Sequence, residues 1–247
     1  MKTEIAKLWD KKAQLYSEMA NSKVADSYEY EINFPSILQL LPDRADNVLD
    51  VGCGNGVFTN ELTKIYSNVT GTDSSPNMIK ICKETYPGLD FEVLDLESKF
   101  NINKTFDLVV CKLVLMFVED LQNFATESFR VLQSGGFLII SVYHPAYMLT
   151  HYLQNKYGVK ERPEFNILEK GYFSEKSVMK SIGGDLSLVF GYKFRTLSKY
   201  LNTFINAGFT FERMEEPSFT EEYMNKYPKE KDKFDIPMRL NLLFKKQ

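Results

Sequence analysis

The spacing of hydrophobic residues predicts a chain of alternating strands and helices. Strands are predicted at residues 48–51, 68–72, 91–94, 106–111 and 137–142. Residues 106–111 are nearly all apolar, which is typical of a strand buried on both faces of a parallel sheet. Between these strands the apolar positions recur at helical spacing, over stretches long enough to cross from one strand to the next. The pattern therefore predicts an α/β fold with a doubly wound parallel sheet and right-handed crossovers.

Capping signals indicate where several helices begin and end. Ser75 is placed to cap a helix whose first residue is Pro76. A later helix is predicted over about residues 197–207, with Thr196 as its N-cap and Gly208 directly after its end. Helices are also expected over residues 57–66 and over residues 120–132, the latter stopping before Gly135-Gly136.

Two helical stretches, residues 4–19 and 26–41, come before the first strand. The first of them has an apolar face that includes Trp9 and Tyr16. We expect residues 1–42 to form a helical cover, which either protects the sheet or closes over a ligand site. The aromatic residues favour closure, because an aromatic ring can cap a ligand while it keeps a polar group available.

An aromatic-rich insertion, residues 145–195, follows the fifth strand. Within it, residues 176–182 and 186–194 alternate on either side of Gly183-Gly184-Asp185, which predicts a β-hairpin. An insertion of this length is most often functional, and we expect it to form a lid over an acceptor site. Its aromatic residues are equally typical of a small core packed on the sheet.

The end of the chain returns to the main sheet. Residues 209–214 and 238–244 alternate between apolar and polar positions, and they predict two further strands joined by a polar connection. The sequence contains no internal repeat and no low-complexity linker. We therefore expect residues 1–247 to form one domain with an insertion.

The charge of the chain argues against a nucleic-acid or membrane partner. The formal net charge is −3, so there is no general attraction to a phosphate backbone or an anionic lipid surface. Local charge clusters such as residues 229–233 alternate in sign, as a solvated surface does. A small-molecule substrate is the expected partner, and the chain is expected to be a monomer or a homodimer.

Cysteine usage and hydropathy indicate a cytoplasmic protein. Cys53, Cys82 and Cys111 are odd in number and lack the C-x-x-C spacing of a zinc site, so free thiols in a reducing compartment are expected, and no metal. Residues 1–7 lack the continuous apolar stretch of a signal peptide. The longest apolar run, residues 113–118, is too short to span a bilayer.

Residues 48–56 form the stretch around which the candidate chemistry is arranged. An apolar strand containing Asp50 runs directly into Gly52, Gly54 and Gly56, which occupy every second position. Glycines there allow the backbone to turn sharply and to approach a ligand closely, and they present backbone N–H groups to it. The helix that follows points its positive end toward the same place.

Acidic residues also end the next two strands. Asp73 comes about 20 positions after the first glycine, the separation at which an acid accepts both hydroxyls of a ribose. Asp95 ends the third strand and can accept from an exocyclic amine, while the N–H of Leu96 can donate to a ring nitrogen. Apolar side chains such as Met78 can hold the ring between them. An amino acid, a ribose and an adenine are thus satisfied in sequence along one edge of the sheet.

In these motifs the chain resembles the class I S-adenosylmethionine (SAM)-dependent methyltransferases, in particular the small-molecule branch similar to the ubiquinone and menaquinone biosynthesis methyltransferases. The resemblance is dense over about residues 45–145 and looser elsewhere. The matching segments are residues 48–56, 71–78, 95–96, 106–111 and 131–138, with a weaker match at residues 196–209.

The resemblance implies a seven-stranded sheet whose last strand is antiparallel, and SAM as the cofactor. It implies that the glycine turn holds the methionine part, with the ribose and the adenine at the next two strand ends and Tyr16 closing over the methionine end. The expected cofactor-binding residues are Tyr16, Asp50, Gly52, Gly54, Gly56, Asp73, Ser74, Met78, Asp95, Leu96 and Cys111. The implied activity is methyl transfer to an O, N or C atom of a small molecule.

Alternative functions remain open on the sequence alone. A dinucleotide-binding dehydrogenase is disfavoured, because its fingerprint is G-x-G-x-x-G and the glycines here fall as G-x-G-x-G. Residues 112–117 contain no Asn/Asp-Pro-Pro-Tyr element, which argues against methylation of a flipped DNA base. A methyltransferase that acts on a protein or an RNA, and a SAM-binding protein without catalysis, are the remaining alternatives.

His144 is the candidate catalytic base, because it lies just past the fifth strand and imidazole titrates near neutrality. A structural histidine that hydrogen-bonds the loop before Pro145 is the alternative. The other histidine, His151, is expected on the surface. Glu215 and Glu216 follow the sixth strand and either bind a cationic acceptor or are solvated.

Overall fold

The structure is a computed structural model that describes residues 4–20, 27–148, 172, 177–182, 185–228 and 237–247. The strands in this part of the chain are β1 Val48–Val51, β2 Val69–Asp73, β3 Asp90–Val93, β4 Phe106–Lys112, β5 Leu132–Tyr143, β6 Ser177–Ile182, β7 Asp185–Lys193, β8 Phe209–Glu215 and β9 Arg239–Lys246.

Seven of these strands form one sheet in the order β3-β2-β1-β4-β5-β9-β8. The pairs from β3 to β5 are parallel, whereas β9 is antiparallel to both β5 and β8. Strands β6 and β7 pair separately as an antiparallel hairpin. The predicted α/β fold, with its antiparallel last strand and inserted hairpin, is confirmed, while Gly183-Gly184 and most of residues 145–176 lie outside the described residues.

The helices flank this sheet. They are α1 Glu4–Ala20, α2 Phe34–Leu38, α3 Val57–Leu62, α4 Pro76–Thr85, α5 Leu121–Val131, α6 Leu197–Asn206 and α7 Glu221–Lys226. In the part of the chain that is described, none of them has the length and apolar character needed to cross a membrane. Two of the predicted caps are present: the Ser75 hydroxyl accepts from the Met78 N–H, and the Thr196 hydroxyl accepts from the Lys199 N–H.

The helix predicted at residues 26–41 is not one regular α-helix. A π-helical turn over Glu29–Asn33 precedes α2, and the Phe34 N–H donates to the Glu29 carbonyl. Pro35 follows at once and has no N–H to donate to the preceding turn. A regular α-helix through this segment would lose a hydrogen bond at Pro35. The chain forms the wider π-helical turn instead.

Strand β5 begins earlier than the sequence indicated. Helix α5 ends at Val131 and the strand starts at Leu132, before the two glycines rather than after them. Leu132 pairs with Phe106 and Phe137 pairs with Leu108, so the ladder shifts register between them. The apolar pattern starts only at Phe137, which explains why the earlier pairing was missed.

Helix α7 was also missed, because the connection between β8 and β9 was predicted only as a polar segment. The Thr220 hydroxyl caps this helix by accepting from the Tyr223 N–H at 3.1 Å. Tyr223 is buried against Tyr28 and Ile32, so a contact distant in sequence stabilises a helix that is only six residues long.

A buried ion pair joins the N-terminal cover to the sheet. The Arg239 Nε atom donates to Glu29 Oε1 at 2.6 Å, and both residues are at most 5% exposed. Lys112 Nζ lies 3.5 Å from Glu29 Oε2, and Asn33 donates to the same carboxylate at 2.8 Å. Burial alone would raise the pKa of Glu29, but the Arg239 and Lys112 cations hold it below its ordinary value.

Candidate functional site

The glycine turn lies at the carboxyl end of β1 and depends on backbone conformations that L side chains rarely adopt. The φ angles of Gly52, Gly54 and Gly56 are +75°, +56° and +81°. At Gly52 a Cβ atom would lie 2.3 Å from a methyl carbon of Val114, so the turn needs both the conformation and the missing side chain.

The N–H groups of these glycines do not point to a ligand as the sequence suggested. The Gly52 N–H donates to the Thr72 carbonyl at 2.7 Å, and the Gly56 N–H donates to the Cys53 carbonyl at 3.0 Å. The Gly54 N–H donates to the Asp73 carboxylate. The three glycines therefore shape the turn and join it to β2.

Asp73 is the acid that holds the glycine turn to the start of α4. Its Oδ2 atom accepts from the Gly54 N–H at 3.1 Å, and its Oδ1 atom accepts from the Ser75 N–H at 2.9 Å. The Ser74 N–H also hydrogen-bonds this carboxylate. A carboxylate has about four acceptor positions, so a ligand hydroxyl can take the remaining one, and a second hydroxyl must share an oxygen with an N–H group or replace it.

Asp50 lies deeper, beneath the turn. It is 1% exposed, and its Oδ2 atom accepts from the Thr59 hydroxyl of α3 at 2.6 Å. Burial raises its pKa from 3.8 to about 6, against the Thr59 hydrogen bond and the charge of Lys112, which lower it. A buried acid of this kind gains from a cationic partner that compensates for its lost hydration.

Asp95 and Leu96 lie just past β3. The Asp95 Oδ1 atom accepts from the Glu97 N–H at 3.1 Å, which fixes the turn that follows the strand. Asn123 of α5 donates to the Leu96 carbonyl at 3.2 Å and so holds this turn from the other side. The loop that carries the predicted adenine-binding pair is thus held between β3 and α5.

The remaining predicted cofactor residues differ in their exposure. Met78 is 1% exposed in the first turn of α4, and Ser74 is partly exposed beside Asp73. Cys111 is fully buried in β4, where burial and the charge of Asp50 raise its thiol pKa. Its side chain packs in the same core cluster as Val51 and Leu96.

Helix α1 lies over the glycine turn. The Tyr16 ring is 3.7 Å from the position that a Cβ atom on Gly54 would occupy. The Trp9 ring packs edge-on against Tyr16 and against Phe117, with centroid distances of 5.2 and 5.0 Å. The N-terminal cover was expected either to protect the sheet or to close over a ligand site. Closure requires α1 to lie over the glycine turn, which is where it lies.

Several residues near the site were not found from the sequence. Leu113, directly after β4, has a φ of +59°, which is unusual for a bulky residue. The next residue, Val114, is the one that packs against Gly52. The Tyr192 and Tyr143 hydroxyls hydrogen-bond, and burial together with these neighbours raises the pKa of Tyr192. A backbone angle and a contact between distant strands leave no local signal in a sequence.

His144 has both ring nitrogens engaged. Its Nδ1 atom accepts from the Ala146 N–H at 3.0 Å, and its Nε2 atom lies 2.6 Å from Glu216 Oε1. The first contact gives His144 a structural role, but its donor lies after Pro145 and not in the loop before it. Action as a base requires the imidazole to leave one of these two partners.

The donor and acceptor set fits SAM. Three acids, Asp50, Asp73 and Asp95, lie at the carboxyl ends of three adjacent parallel strands, in the order β1, β2, β3. An ammonium group, a ribose diol and an exocyclic amine are donors that suit these acceptors in that order. Among the described residues, no three His, Cys, Asp or Glu side chains cluster as metal ligands would.

Comparison with known proteins agrees with this geometry. Residues 49–140 match the family model described as a methyltransferase domain. Residues 49–140 therefore have the sequence of a methyltransferase domain. The matched segment begins in β1 and ends in β5, so it contains the glycine turn and all three acids. The recognition made from the sequence motifs is confirmed.

Two curated relatives are similar to part of the chain. Protein 235L of Invertebrate iridescent virus 6, named as a methyltransferase, is 36% identical over 110 residues, which are 44% of this chain and 40% of that protein. The ubiquinone biosynthesis O-methyltransferase of Coxiella burnetii is 29% identical over 139 residues, 55% of this chain and 58% of that protein. The chain therefore matches only about half the length of these relatives.

The methyltransferase domain also has the fold of solved structures. An S-adenosylmethionine-dependent methyltransferase from Mesorhizobium loti superposes with a TM-score of 0.68 at 24% identity, covering 87% of this chain and 97% of that one. This likeness extends well beyond residues 49–140. It shows that the parts of the chain outside the family match also follow the methyltransferase fold.

The affinity for S-adenosylhomocysteine (SAH), the demethylated product of SAM, is expected to depend on pH. Burial raises the pKa of Asp73 from 3.8 to about 6, against the backbone hydrogen bonds that lower it. A ribose diol requires the ionised carboxylate, so binding releases a proton below that pKa and is strongest above it. We expect calorimetry to show an affinity that is constant above about pH 7 and falls below pH 6, by about tenfold per unit for each acid that must be ionised.

Asp73→Asn is the control for this pH dependence. Its amide does not titrate, so the variant should bind weakly at every pH and should lose the part of the slope that Asp73 causes. Asp50 also has a pKa of about 6, so in Asp73→Asn it still causes its own part of the dependence of affinity on pH. An affinity of the unmodified protein that stays constant from pH 5 to pH 8 would contradict the assignment of these acids to the ligand.

Proposed function

We propose that this chain transfers the methyl group of SAM to a small-molecule acceptor in the cytoplasm. The proposal depends chiefly on one observation: three acids end three adjacent parallel strands around a glycine turn, within the segment that matches the methyltransferase domain. The free thiols of Cys53, Cys82 and Cys111 support a reducing compartment.

Each part of SAM has a proposed site. Asp50 receives the ammonium of the methionine part within the turn formed by Gly52, Gly54 and Gly56. Asp73 accepts from the two ribose hydroxyls. Asp95 accepts from the adenine amine, and the Leu96 N–H donates to a ring nitrogen, with Met78 beside the ring. Tyr16 covers the methionine end, where it lies against Gly54.

Alignment is the main contribution of the protein in this proposal. When bound, SAM supplies a methyl group activated by a sulfonium, with a neutral thioether as the leaving group. The residues above fix that methyl group, and the surrounding walls hold the acceptor atom about 3 Å from it and in line with the breaking bond. Positioning of this kind can lower a barrier by about 7–11 kcal/mol.

Aromatic side chains support a planar or partly apolar acceptor. The Phe117 ring packs against Tyr192 at 4.8 Å, and Tyr192 packs against Tyr143 at 5.7 Å. Phe117 also contacts Trp9 of α1. The quinone pathway named for the Coxiella burnetii relative also involves a small molecule. The predicted lid at residues 145–195 remains part of this proposal, as the wall that completes the acceptor site.

A base is needed only when the acceptor must lose a proton. His144 remains the proposed base for such an acceptor, and its Nε2 atom would have to exchange Glu216 for the acceptor. Because Nδ1 accepts from the Ala146 N–H, the neutral ring carries its proton on Nε2, so the ring would also have to change tautomer before Nε2 could accept a proton. Methyl transfer to an acceptor that is already nucleophilic would not need His144.

The decisive experiment has two stages. Calorimetry and thermal shift with SAM and SAH test the cofactor site, and failure of both ligands to bind would reject the proposal. Incubation with SAM labelled in its methyl group, together with fractionated cell extract, then tests the acceptor. Label in the small-molecule fraction is the expected result. If the label appears only in protein or RNA, the acceptor is a macromolecule and not a small molecule. If SAM binds but no fraction is labelled, the chain is a SAM-binding protein without catalysis.

A further inference from the structure

Helix α1 packs on the core through five partly buried apolar side chains, those of Ile5, Leu8, Trp9, Tyr16 and Met19. Its fully buried residues, Ala6, Ala13, Ser17 and Ala20, all have small side chains. Apolar packing of this kind is not directional. Hydrogen bonds are directional, so they can fix the position of the helix over the site.

Asp10 supplies such contacts. Its Oδ1 atom accepts from the Ser75 hydroxyl at 2.6 Å and from the Asn77 N–H at 3.0 Å. The Asn77 side-chain amide donates to the Asp10 carbonyl at 3.1 Å. Three hydrogen bonds thus connect one residue of α1 to the first turn of α4. Two of them involve the ionised side chain, and hydrogen bonds of that kind are the stronger ones.

The partners of Asp10 are connected directly to the proposed ribose acid. Ser75 donates its N–H to Asp73 and its hydroxyl to Asp10, and the same hydroxyl caps α4 by accepting from the Met78 N–H. Ser75 is fully buried, so water cannot readily replace these bonds. The hydrogen bonds between α1 and α4 are therefore connected, through Ser75, to the carboxylate of Asp73 that is proposed to bind the ribose.

We infer that Asp10 is a positioning residue, which latches α1 over the SAM site so that Tyr16 closes the methionine end. This inference rests on the function proposed above. The docked helix covers the glycine turn, so a ligand bound there leaves when α1 releases. The Asp10 hydrogen bonds oppose that release, because its acid group must part from two donors at the start of α4 as the helix moves.

The sequence provides its own probe for this motion. Trp9 is the single tryptophan of the chain, and it lies on α1 one residue before Asp10. Its ring contacts Tyr16 on the same helix and Phe117 on the body of the protein. Release of α1 separates Trp9 from Phe117, so tryptophan fluorescence reports the position of the helix without a label.

Stopped-flow fluorescence of the full chain with SAH is the test. For Asp10→Ala we expect the dissociation rate of SAH to rise about tenfold, because both charge-assisted hydrogen bonds are lost. For Asp10→Asn, which keeps an acceptor oxygen, we expect a rise of about threefold or less. Glu18→Ala is the matched control, since Glu18 is an exposed acid on the same helix, and it should keep the unmodified rate.

A double-mutant cycle with Tyr16→Ala separates latching from general damage to the fold. If Asp10 acts by closing Tyr16 over the site, the double variant should lose SAH no faster than the more affected single variant. An Asp10→Ala variant that remains folded by circular dichroism and releases SAH at the unmodified rate would overturn the inference. Independent, additive effects of the two substitutions would overturn it as well. Failure of the unmodified protein to bind SAH would instead reject the proposed function.

Discussion

Replacement of Asp73 by alanine is expected to weaken SAH binding by at least about a hundredfold. The carboxylate is the proposed acceptor for both ribose hydroxyls, and hydrogen bonds to a charged group contribute about 1.5–3 kcal/mol each. The same carboxylate accepts from the Gly54 and Ser75 N–H groups, so its loss also frees the glycine turn from α4. Isothermal titration calorimetry would measure the affinity, with thermal unfolding as the check on folding.

Asp90→Ala is the matched control, because Asp90 is an exposed acid at the opposite end of the neighbouring strand β3. It should keep the unmodified affinity. Asp73→Asn retains one acceptor oxygen and should fall between the other two variants. If Asp73→Ala is folded and binds SAH within about threefold of the unmodified protein, the ribose is bound elsewhere and the cofactor assignment fails.

Gly52→Ala is expected to destabilise the protein by about 2–5 kcal/mol and to abolish SAH binding. The left-handed backbone at Gly52 costs a residue with a Cβ atom about 1–2 kcal/mol. Overpacking against Val114, whose methyl carbon would lie 2.3 Å away, adds about 1–3 kcal/mol. Chemical denaturation would measure the free energy of unfolding.

Gly88 makes it possible to separate these two costs. Its φ is +98°, but a Cβ atom there would have no neighbour within 4 Å. Gly88→Ala should therefore show the backbone cost alone, with unmodified SAH affinity. Addition of Val114→Ala to Gly52→Ala should recover the packing part of the lost stability but not the backbone part. Equal destabilisation by Gly52→Ala and Gly88→Ala would contradict the close packing on the turn.

Local signals were sufficient to predict much of the fold. The apolar runs identified β1 and β4 because both faces of those strands are buried, and Ser75 and Thr196 identified helix starts because a hydroxyl is needed there. The spacing of the glycines and of Asp73 predicted the candidate site for a similar reason. In a parallel sheet, residues at successive strand ends meet at one edge.

What the sequence did not reveal depends on contacts between distant residues. Asp10 is one of many acids, and only the docking of α1 on α4 gives it partners. Helix α7 is too short to form without the burial of Tyr223. The glycine N–H groups were expected to face a ligand, whereas the pairing of β1 with β2 directs two of them to the Thr72 carbonyl and the Asp73 carboxylate.

The position of β9 limits the order in which a nascent chain can assemble. Strand β8 leaves the ribosome first but joins the sheet only through β9, and Glu29 obtains its guanidinium partner only when Arg239 has been made. Until residues 239–246 emerge, β5 keeps one unpaired edge, and Glu29 has Lys112 as a cationic partner but lacks the closer guanidinium. Translation that stops before β9 should therefore yield a chain with an open sheet edge, which chaperones and proteases recognise.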